Sequence, residues 1–270
     1  IEFYSLPAGR VERRLPNQRV DHTPRVFLDD QTRLDAVVTE IRDRHHTGQP
    51  ILVGTQSVAE SERFAASLAE AGIPSRVLNA RNDAHEAAVI ARAGELGAVT
   101  ISTQMSGRGT DIRLGGTDEH DHARVAATGG LAVLQVGRYP SGRLDAQLRG
   151  RAGRQGDPGL TMTFVSTTDE LVQANAPAHH LGKITRRGPR LDQAALGSIV
   201  DQAQRIAEGI RHDRHRDTWD FNRAIARQRA TVLEDRNEVM HHDRGLIELA
   251  LLLTDIAEIA QDDPLKLPLS

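Results

Sequence analysis

Five short apolar runs, separated by amphipathic stretches, constrain the fold of this 270-residue chain more than any other feature of its sequence. The runs are ILVGT at 51–55, SRVLNA at 75–80, AVTIST at 98–103, LAVLQVG at 131–137 and TMTFVST at 161–167. Apolar runs of about four to eight residues that alternate with helical patterns are typical of β-α-β units. The sequence therefore predicts a five-stranded α/β domain with a parallel sheet.

One of the amphipathic stretches carries clear helix boundaries. In SVAESERFAASLAEAG, Ser57 is a candidate N-cap, and Glu60, three residues later, completes a capping box. Gly72 is a candidate C-terminal stop, because glycine readily adopts the left-handed conformation that ends a helix. We therefore expect a helix between the first and second predicted strands.

The ends of the chain differ from this central pattern. Residues 1–25 contain three prolines and little periodicity, so we expect a connecting arm from a missing preceding domain. Residues 26–176 form the predicted α/β domain. Residues 177–270 open with a segment rich in Pro, His and Gly and continue as long helical patterns, which predict a helical scaffold or wing region. Because the chain opens on Ile1 rather than methionine, we expect a fragment of a longer protein.

The helical pattern of the last segment is unusually long. A continuous helix from Leu191 to His242 would measure roughly 75 Å at about 1.5 Å per residue, far beyond the average helix. We therefore expect either a scaffold strut or a broken helix, with Gly209 and the RHDRHRD stretch as the favoured break. The apolar positions of this segment are predicted to pack rather than to contact a substrate: Trp219, Ile225, Val232, Leu233 and Val239.

The composition excludes some classes of partner. Thirty-four basic and 37 acidic residues leave a net charge of -3, so no strong field attracts nucleic acid or anionic lipid. The absence of cysteine excludes disulfides and thiolate metal ligands. The longest apolar stretch, LIELALLLTDIAEIA, is interrupted by acidic residues and falls short of the roughly 20 residues that span a bilayer. We expect a soluble or peripheral protein that is not a general polyanion binder.

The segment QLRGRAGRQGDPG, at 147–159, contains three arginines and four glycines in thirteen positions. If the segment is helical as far as GDPG, then Gln147, Arg151 and Arg154 share one face. Two permanently ionised guanidinium groups on one face suit a phosphate group. A solvated basic face is the alternative interpretation. Glycines in the interior of a helix are unfavourable, so they predict the close approach of a backbone or a ligand.

A second glycine-containing segment follows the predicted strand at 98–103, which is the strand before LAVLQVG. TISTQMSGRGTDIRLGG, at 100–116, runs from that strand into a loop in which Asp111 stands at a turn or helix start. Ligands collect at the carboxyl ends of parallel strands, which makes this loop a candidate binding segment. A plain connection between a strand and a helix is the alternative.

Together, Q-x-x-G-R-x-G-R and G-R-G-T-D resemble motifs VI and V of the second RecA-like half of a superfamily-2 motor. The phrases GRGTDIRLGG, GGLAVLQVGR and QLRGRAGRQGDPG resemble the SecA preprotein-translocation ATPases specifically. Segments upstream, from ILVGT onward, and downstream, through TWDFN, are similar to the same family, so the resemblance covers nearly the whole chain. It implies a RecA-like parallel sheet of the P-loop NTPase type, followed by an all-α scaffold.

One departure within this resemblance separates two branches of the family. Housekeeping SecA proteins usually carry Thr-Glu-Arg-His after the fourth strand, whereas this chain has Val136, Gly137 and Tyr139 at three of those positions. Together with TWDFN, this departure resembles the accessory SecA paralogue of high-GC Gram-positive bacteria. The departure removes any role that the glutamate has in the family.

The resemblance implies which residues meet the nucleotide. ATP would bind in a cleft between this domain and a first motor domain. Arg151 and Arg154 would approach the γ-phosphate as the catalytic residues, and Asp111 would contact the nucleotide. Three further residues would line the cleft: Arg108, Gly109 and Gln147.

A motor of this class also needs a P-loop, G-x-x-x-x-G-K-[ST], to hold the phosphates. The chain has two lysines, Lys183 and Lys266, and neither stands in such a sequence. ATP and Mg²⁺ are therefore expected to be held mainly by the missing first motor domain, and the fragment alone is predicted to be inactive. The phrase DEHD at 118–121 is interpreted as a polar surface loop, with metal binding by His120 and His122 as the alternative. We predict no metal site.

The family resemblance implies the partners and the location. A protein of this kind would couple ATP hydrolysis to the export of unfolded preproteins through the membrane Sec channel. It would lie in the bacterial cytoplasm and peripherally on the inner face of the plasma membrane, without binding nucleic acid. Two alternatives stay open: the second motor domain of a superfamily-2 nucleic-acid helicase, and a catalytically silent interaction module.

Overall fold

The fold is built on a parallel sheet of seven strands, in the order β1-β7-β6-β3-β5-β4, with β2 also paired to β7. The computed structural model describes residues 15–78, 86–103, 111–187, 190–241 and 244–262. The strands are β1 (Gln18–Asp21), β2 (Arg25–Phe27), β3 (Ile51–Thr55), β4 (Arg76–Leu78), β5 (Val99–Thr103), β6 (Leu131–Val136) and β7 (Pro158–Ser166). Each recorded strand pair is parallel, which confirms the predicted α/β class.

Helices connect the strands and continue after the last one. They are α1 (Asp30–His46), α2 (Val58–Glu70), α3 (Glu86–Ala91), α4 (His122–Ala127), α5 (Gly142–Arg149), α6 (Glu170–Asn175), α7 (Ala178–Arg187), α8 (Gln193–His241) and α9 (Arg244–Asp262). A short 3-10 turn, Arg92–Gly94, follows α3. This alternation of strands and helices places helices on both faces of the sheet, as a parallel sheet requires.

All five predicted strands are present, but the prediction of a five-stranded sheet was wrong by two strands. β1 and β2 both pair with β7, and β1 lies in the segment that the sequence predicts as a connecting arm. Neither strand contains a long apolar run, because each is only three or four residues long and lies beside a single neighbour. Their pairing therefore depends on the edge that β7 offers rather than on a local pattern.

Alternating residues of the strands divide the core between the two faces of the sheet. On β3, Val53 belongs to the cluster that packs against α1 and α2. Its neighbour Leu52 belongs to the cluster on the opposite face, which includes Ile112 and Ala152. A third cluster packs β2 and the end of β7 against α6 and the first turns of α8. The strand residues of β3 are buried on both faces, which explains its unbroken apolar run.

The boundaries predicted for α2 are confirmed. The Ser57 hydroxyl accepts a hydrogen bond from the Glu60 amide at 3.1 Å, and Gly72 has a φ of +72° just after the helix. The Glu60 carboxylate accepts from the Gln56 amide at 2.9 Å, one residue earlier than the usual capping box. The Ser57 contact satisfies an amide that the helix N-terminus would otherwise leave without a partner, and the Glu60 contact binds the residue just before the N-cap.

The break predicted near Gly209 is absent, and α8 is one continuous helix of 49 residues. A single glycine costs a helix about 1 kcal/mol, which the helical residues on both sides tolerate. The structure divides into two compact units between Gly209 and Ile210. In the second unit, Trp219, Ile225 and Val232 are exposed, so the described residues do not provide the packing that the sequence predicts for these positions, and that prediction stays open.

The helices within the described ranges include no candidate for crossing a membrane. None of the helices there combines the length and the apolar character that crossing a bilayer requires. The longest apolar stretch of the sequence lies in α9, where acidic residues interrupt it.

Two glycines offer a matched test of the turn that leads into β6. A Cβ at Gly130, where φ is +70°, would lie 1.9 Å from the Pro158 carbonyl oxygen, whereas a Cβ at Gly197, inside α8, would meet nothing within 4 Å. We expect Gly130→Ala to lower the free energy of unfolding by about 2 kcal/mol or more. We expect Gly197→Ala to raise it by about 0.5–1 kcal/mol. Urea unfolding monitored by circular dichroism measures both, and equal stabilities of the two variants would contradict this close approach.

Candidate functional site

The arginine-rich segment is a turn rather than the continuation of a helix. Helix α5 ends at Arg149, with Gly150 as its C-cap. Gly153, Gln155 and Gly156 then have φ values of +66°, +55° and +87°, which no right-handed helix can contain. The prediction that Arg151 and Arg154 share a helical face with Gln147 was therefore wrong. We call residues 150–157 the arginine turn.

The arginine turn contacts the other predicted binding segment directly. Arg154 Nη1 donates to Asp111 Oδ1 at 2.5 Å, and Gln155 Nε2 donates to Asp111 Oδ2 at 3.0 Å. Arg154 Nε also donates to the Gly150 carbonyl at 2.9 Å, which orients the guanidinium group. The structure thus brings together two residues that the sequence assigns to one nucleotide site, although nothing in the sequence predicts that they pair.

The electrostatics of Asp111 follow from this pair. Partial burial opposes the ionisation of Asp111, but the hydrogen bond and charge of Arg154, together with Gln155, outweigh it and lower the pKa of Asp111. The side chains of Arg154 and Asp111 remain 36% and 38% exposed, so solvent screens their attraction. Asp111 is therefore a carboxylate at neutral pH, and Arg154 is held only weakly.

The other predicted site residues have different surroundings. Arg151 is half-buried in the arginine turn, and Gln147 is exposed on the last turn of α5. Arg108 and Gly109 lie outside the described residues. The neighbours of the ion pair, Ile112 and Ala152, are buried in one core cluster on the same face of the sheet. The pair therefore lies at the surface of a packed layer rather than on an isolated loop.

The edge strand β1 supports the arginine turn, a contribution that sequence reasoning missed. A Cβ at Gly153 would lie 2.6 Å from the Arg19 Cβ, so only glycine fits there. Arg19 Nη1 donates to the Arg149 carbonyl at 3.2 Å, at the end of α5. This close approach accounts for Gly153, as the sequence predicted, but its partner lies more than 130 residues earlier in the chain.

A buried carboxylate holds the other end of α5. Asp145 is 0% exposed, and Gln135 Nε2, the Tyr139 amide and Arg138 Nη1 donate to it at 2.5, 3.0 and 3.1 Å. Gln204 Nε2, from α8, is a fourth donor at 2.7 Å. A buried charge is costly unless it is paired and hydrogen-bonded, and here both carboxylate oxygens have two donors. Sequence reasoning did not single out Asp145, because its partners come from β6, the loop after β6 and the distant helix α8.

Helix α8 contributes a stripe of polar residues to the same region. Asp201 accepts from Arg138 Nη2 at 3.0 Å, and Gln204 Nε2 also donates to the Tyr139 carbonyl at 2.9 Å. One turn further on, Glu208 accepts from the Gly142 amide at 2.7 Å, at the N-terminus of α5. A carboxylate at a helix N-terminus is favourable because amides without intrahelical partners and the helix dipole both attract it. The first turns of α8 are therefore tied to the start of α5.

Tyr139, one of the residues that depart from the housekeeping pattern, is buried in this region. Its hydroxyl donates to the Thr55 carbonyl at 3.2 Å, at the carboxyl end of β3. Burial raises the pKa of Tyr139 above its ordinary value, and the nearby charges of Asp145 and Glu60 raise it further. The tyrosine is therefore a neutral donor that fixes the loop after β6 to the sheet.

The acidic phrase at 118–121 is largely exposed, as the sequence predicts. Glu119 pairs with Arg113 at 2.9 Å, and Asp121 pairs with Arg124 at 2.8 Å. Across the ranges that the structure describes, no group of three or more His, Asp or Glu side chains is arranged to hold a metal ion. These carboxylates neutralise neighbouring arginines.

The parallel sheet, with an aspartate facing a glycine- and arginine-rich turn, belongs to the P-loop NTPase class. The family model that matches the chain is described as the SecA P-loop domain and covers residues 16–124 and 117–187. The chain therefore belongs to the SecA family, and the predicted RecA-like α/β fold followed by a helical region is confirmed. The matched residues contain no G-x-x-x-x-G-K-[ST] sequence.

Named relatives are protein translocase subunits. The chain is 50% identical over 250 residues to protein translocase subunit SecA 2 of Thermobifida fusca (strain YX), a match that covers 93% of this chain and 33% of the relative. It is 49% identical over 251 residues to protein translocase subunit SecA 2 of Mycobacterium tuberculosis (strain ATCC 25618 / H37Rv). This match covers 93% of this chain and 31% of the relative. These matches confirm the similarity to accessory SecA proteins of actinobacteria. The chain spans about a third of the length of these curated relatives.

Matches among solved structures include helicase domains. The E. coli DEAD-box protein SrmB, bound to regulator of ribonuclease activity A, matches with 20% identity and a TM-score of 0.43, over 59% of this chain and 82% of SrmB. The Mss116p DEAD-box helicase domain 2 bound to an RNA duplex matches with 15% identity and a TM-score of 0.43, over 57% of this chain and 56% of the Mss116p chain. The family assignment rests on the family model and the translocase relatives.

The buried carboxylate and an exposed one share Arg138, which provides a matched pair of variants. We expect Asp145→Ala to lower the free energy of unfolding by about 3–5 kcal/mol, because it leaves buried donors without an acceptor. We expect Asp201→Ala to lower it by about 1 kcal/mol or less, because Asp201 is 50% exposed. Urea unfolding of both variants tests this difference, and a loss for Asp145→Ala as small as that for Asp201→Ala would contradict the network.

Proposed function

We propose that this chain is the second motor domain and adjoining helical part of an ATP-driven protein translocation motor of the SecA type. The observation that carries the proposal is the pair between Asp111 and Arg154. It unites the two segments that the family resemblance assigns to the nucleotide. Membership of the SecA family supports the translocation role in general, and the coupling of that role to ATP hydrolysis is the proposal.

The ion pair is suited to a switch of partner when nucleotide binds. An ion pair as exposed as Arg154–Asp111 contributes about 1 kcal/mol or less, so it is readily broken. A γ-phosphate carries more negative charge than one carboxylate and accepts paired N–H groups from arginine. Arg154 would therefore exchange Asp111 for the phosphate and neutralise the charge that develops during phosphoryl transfer. Arg151, in the same turn, would add a second positive charge.

The remaining parts of the site divide between this chain and a first motor domain. Asp111, freed from Arg154, would contact the nucleotide. Arg108, Gly109 and Gln147 would line the same cleft. ATP and Mg²⁺ supply the phosphates and their bound cation, and the P-loop that would hold them is expected in the first motor domain. Because this sequence contains no P-loop, the site is proposed to be complete only when both domains meet.

The polar stripe on α8 offers a route from the nucleotide to the helical region. Asp111 and Arg154 lie beyond the C-terminal end of α5, and Glu208 and Gln204 of α8 bind its N-terminal end. A displacement of the arginine turn would therefore act on α8 through one short, rigid helix. Such coupling needs a contiguous set of contacts, and the network around Asp145 provides them.

The partners follow from the same family assignment. The substrates would be unfolded preproteins, and the channel would be the membrane Sec translocon. The working protein would lie in the bacterial cytoplasm and peripherally on the inner face of the plasma membrane. These roles are supported by the relatives, which are named protein translocase subunits. Nucleic acid is not proposed as a substrate, since the net charge of -3 gives no general attraction for it.

Substitution of Arg154 tests the proposed catalytic role. In the complete motor, Arg154→Ala should lower kcat by about 10³-fold or more, because arginine fingers contribute factors of that size. Nucleotide affinity should fall much less. Arg124→Ala is the matched control, since Arg124 is exposed and pairs only locally with Asp121. Steady-state ATPase assays measure both variants, and wild-type turnover by Arg154→Ala would overturn the assignment.

A separate prediction follows if the nucleotide site is divided between this chain and a first motor domain. The purified 270-residue chain should show no ATPase activity, because its sequence lacks a P-loop. Adding the first motor domain on the same polypeptide should produce turnover that depends on Arg154. Activity of the 270-residue chain alone would refute the composite site, and inactivity of the joined protein would favour a catalytically silent module.

A further inference from the structure

A basic cleft of about 650 Å³ lies between α7 and the first turns of α8, and it shares no residue with the arginine turn. The residues of α7 that line it are His180, Lys183, Arg186 and Arg187. Its apolar side includes Leu191 and Ile199. No acidic residue lines the cleft in the described part of the chain, so its lining consists of cations, neutral polar groups and apolar groups.

The cations of the cleft are not neutralised by neighbouring carboxylates. Within the described ranges, no Asp or Glu makes a salt bridge with Lys183, Arg186 or Arg187. Lys183 stands three and four residues before the two arginines, so the three charges are neighbours on the helix surface and repel each other. The helix dipole favours the arginines in the last turn, but it does not account for Lys183 in the middle of α7.

His180 adds a polar group without a partner. Its Nδ1 is buried and has no hydrogen-bond partner among the described residues, and its ring lies 4.1 Å from that of His179. Loss of solvation, with the positive neighbours His179 and Lys183, lowers the pKa of His180. A buried polar atom without a partner is costly, and a turn of the ring that brings Nδ1 to an anion in the cleft would remove that cost.

The cleft is built on a fixed element. The apolar side chains Leu181 and Ile184 pack against the core cluster that includes the first turns of α8. This packing uses the apolar face of α7, so its basic face is left at the cleft. The backbone that carries the positive groups is therefore fixed by the core, while their exposed side chains remain free to reach a ligand.

We propose that this cleft binds a phosphate-bearing anion. Lys183 supplies a compact positive charge, Arg187 supplies a planar guanidinium fork that matches phosphate oxygens, and His180 supplies a ring N–H. The apolar side of the cleft accommodates the part of the ligand that carries the phosphate. The phosphate belongs either to a free phosphate compound or to the headgroup of an anionic lipid. The site does not depend on the nucleotide role of Arg154.

The first arm of the test uses inorganic phosphate and the 270-residue chain. Calorimetric titration should detect binding, and the ring signals of His180 should shift in NMR spectra, with assignment by His180→Gln. The double variant Lys183→Gln and Arg187→Gln should bind about tenfold more weakly or worse, because two charge-assisted contacts are removed. Arg42→Gln with Arg227→Gln removes the same charge from exposed positions elsewhere and should leave affinity unchanged.

The second arm uses vesicles of phosphatidylglycerol, with phosphatidylcholine vesicles as the neutral comparison. A lipid headgroup is the source if the chain binds the anionic vesicles but does not respond to inorganic phosphate. The Lys183 and Arg187 variant should then lose its binding to these vesicles. Ser198→Phe fills the cleft without changing its charge and should abolish the response to inorganic phosphate. Failure of both probes to bind, or binding that the double charge variant retains, would overturn the proposal.

Discussion

The buried carboxylate of Asp145 is the interaction on which the arrangement of the proposed site depends. A charge removed from water is tolerated only when donors surround it, and this one has donors from β6, the following loop and α8. Satisfying it fixes where α5 starts and how α8 lies against it. Because α5 is only eight residues long, its start also determines where the arginine turn begins.

The arginine turn is held from its other side by the edge strand β1. Gly153 allows the backbone to meet Arg19, and the guanidinium of Arg19 reaches the end of α5. These contacts leave Arg154 facing Asp111 at the surface of the second core layer. A rigid support with a weakly held arginine is the combination that a change of partner requires, since the backbone stays fixed while one side chain moves.

The net charge of -3 conceals two basic regions of different character. In the arginine turn, Arg154 is already balanced by a carboxylate, so a phosphate must compete for it. In the cleft between α7 and α8, the cations face each other without acidic neighbours among the described residues, so an anion would relieve their repulsion. The two proposed phosphate sites therefore rest on local charge rather than on the total charge of the chain.

The sequence by itself determined the five central strands, the caps of α2 and the family, because burial periodicity, capping and motifs are encoded by neighbouring residues. The site residues Asp111 and Arg154 were predicted from motifs, while their pairing was not. Only the tertiary structure decided that β1 joins the sheet, that α5 ends at Arg149 and that Asp145 is buried. The physical reason is that each of these depends on partners distant in the chain. The continuity of α8 through Gly209 has the opposite cause, since the helical residues on both sides outweigh one weak local signal.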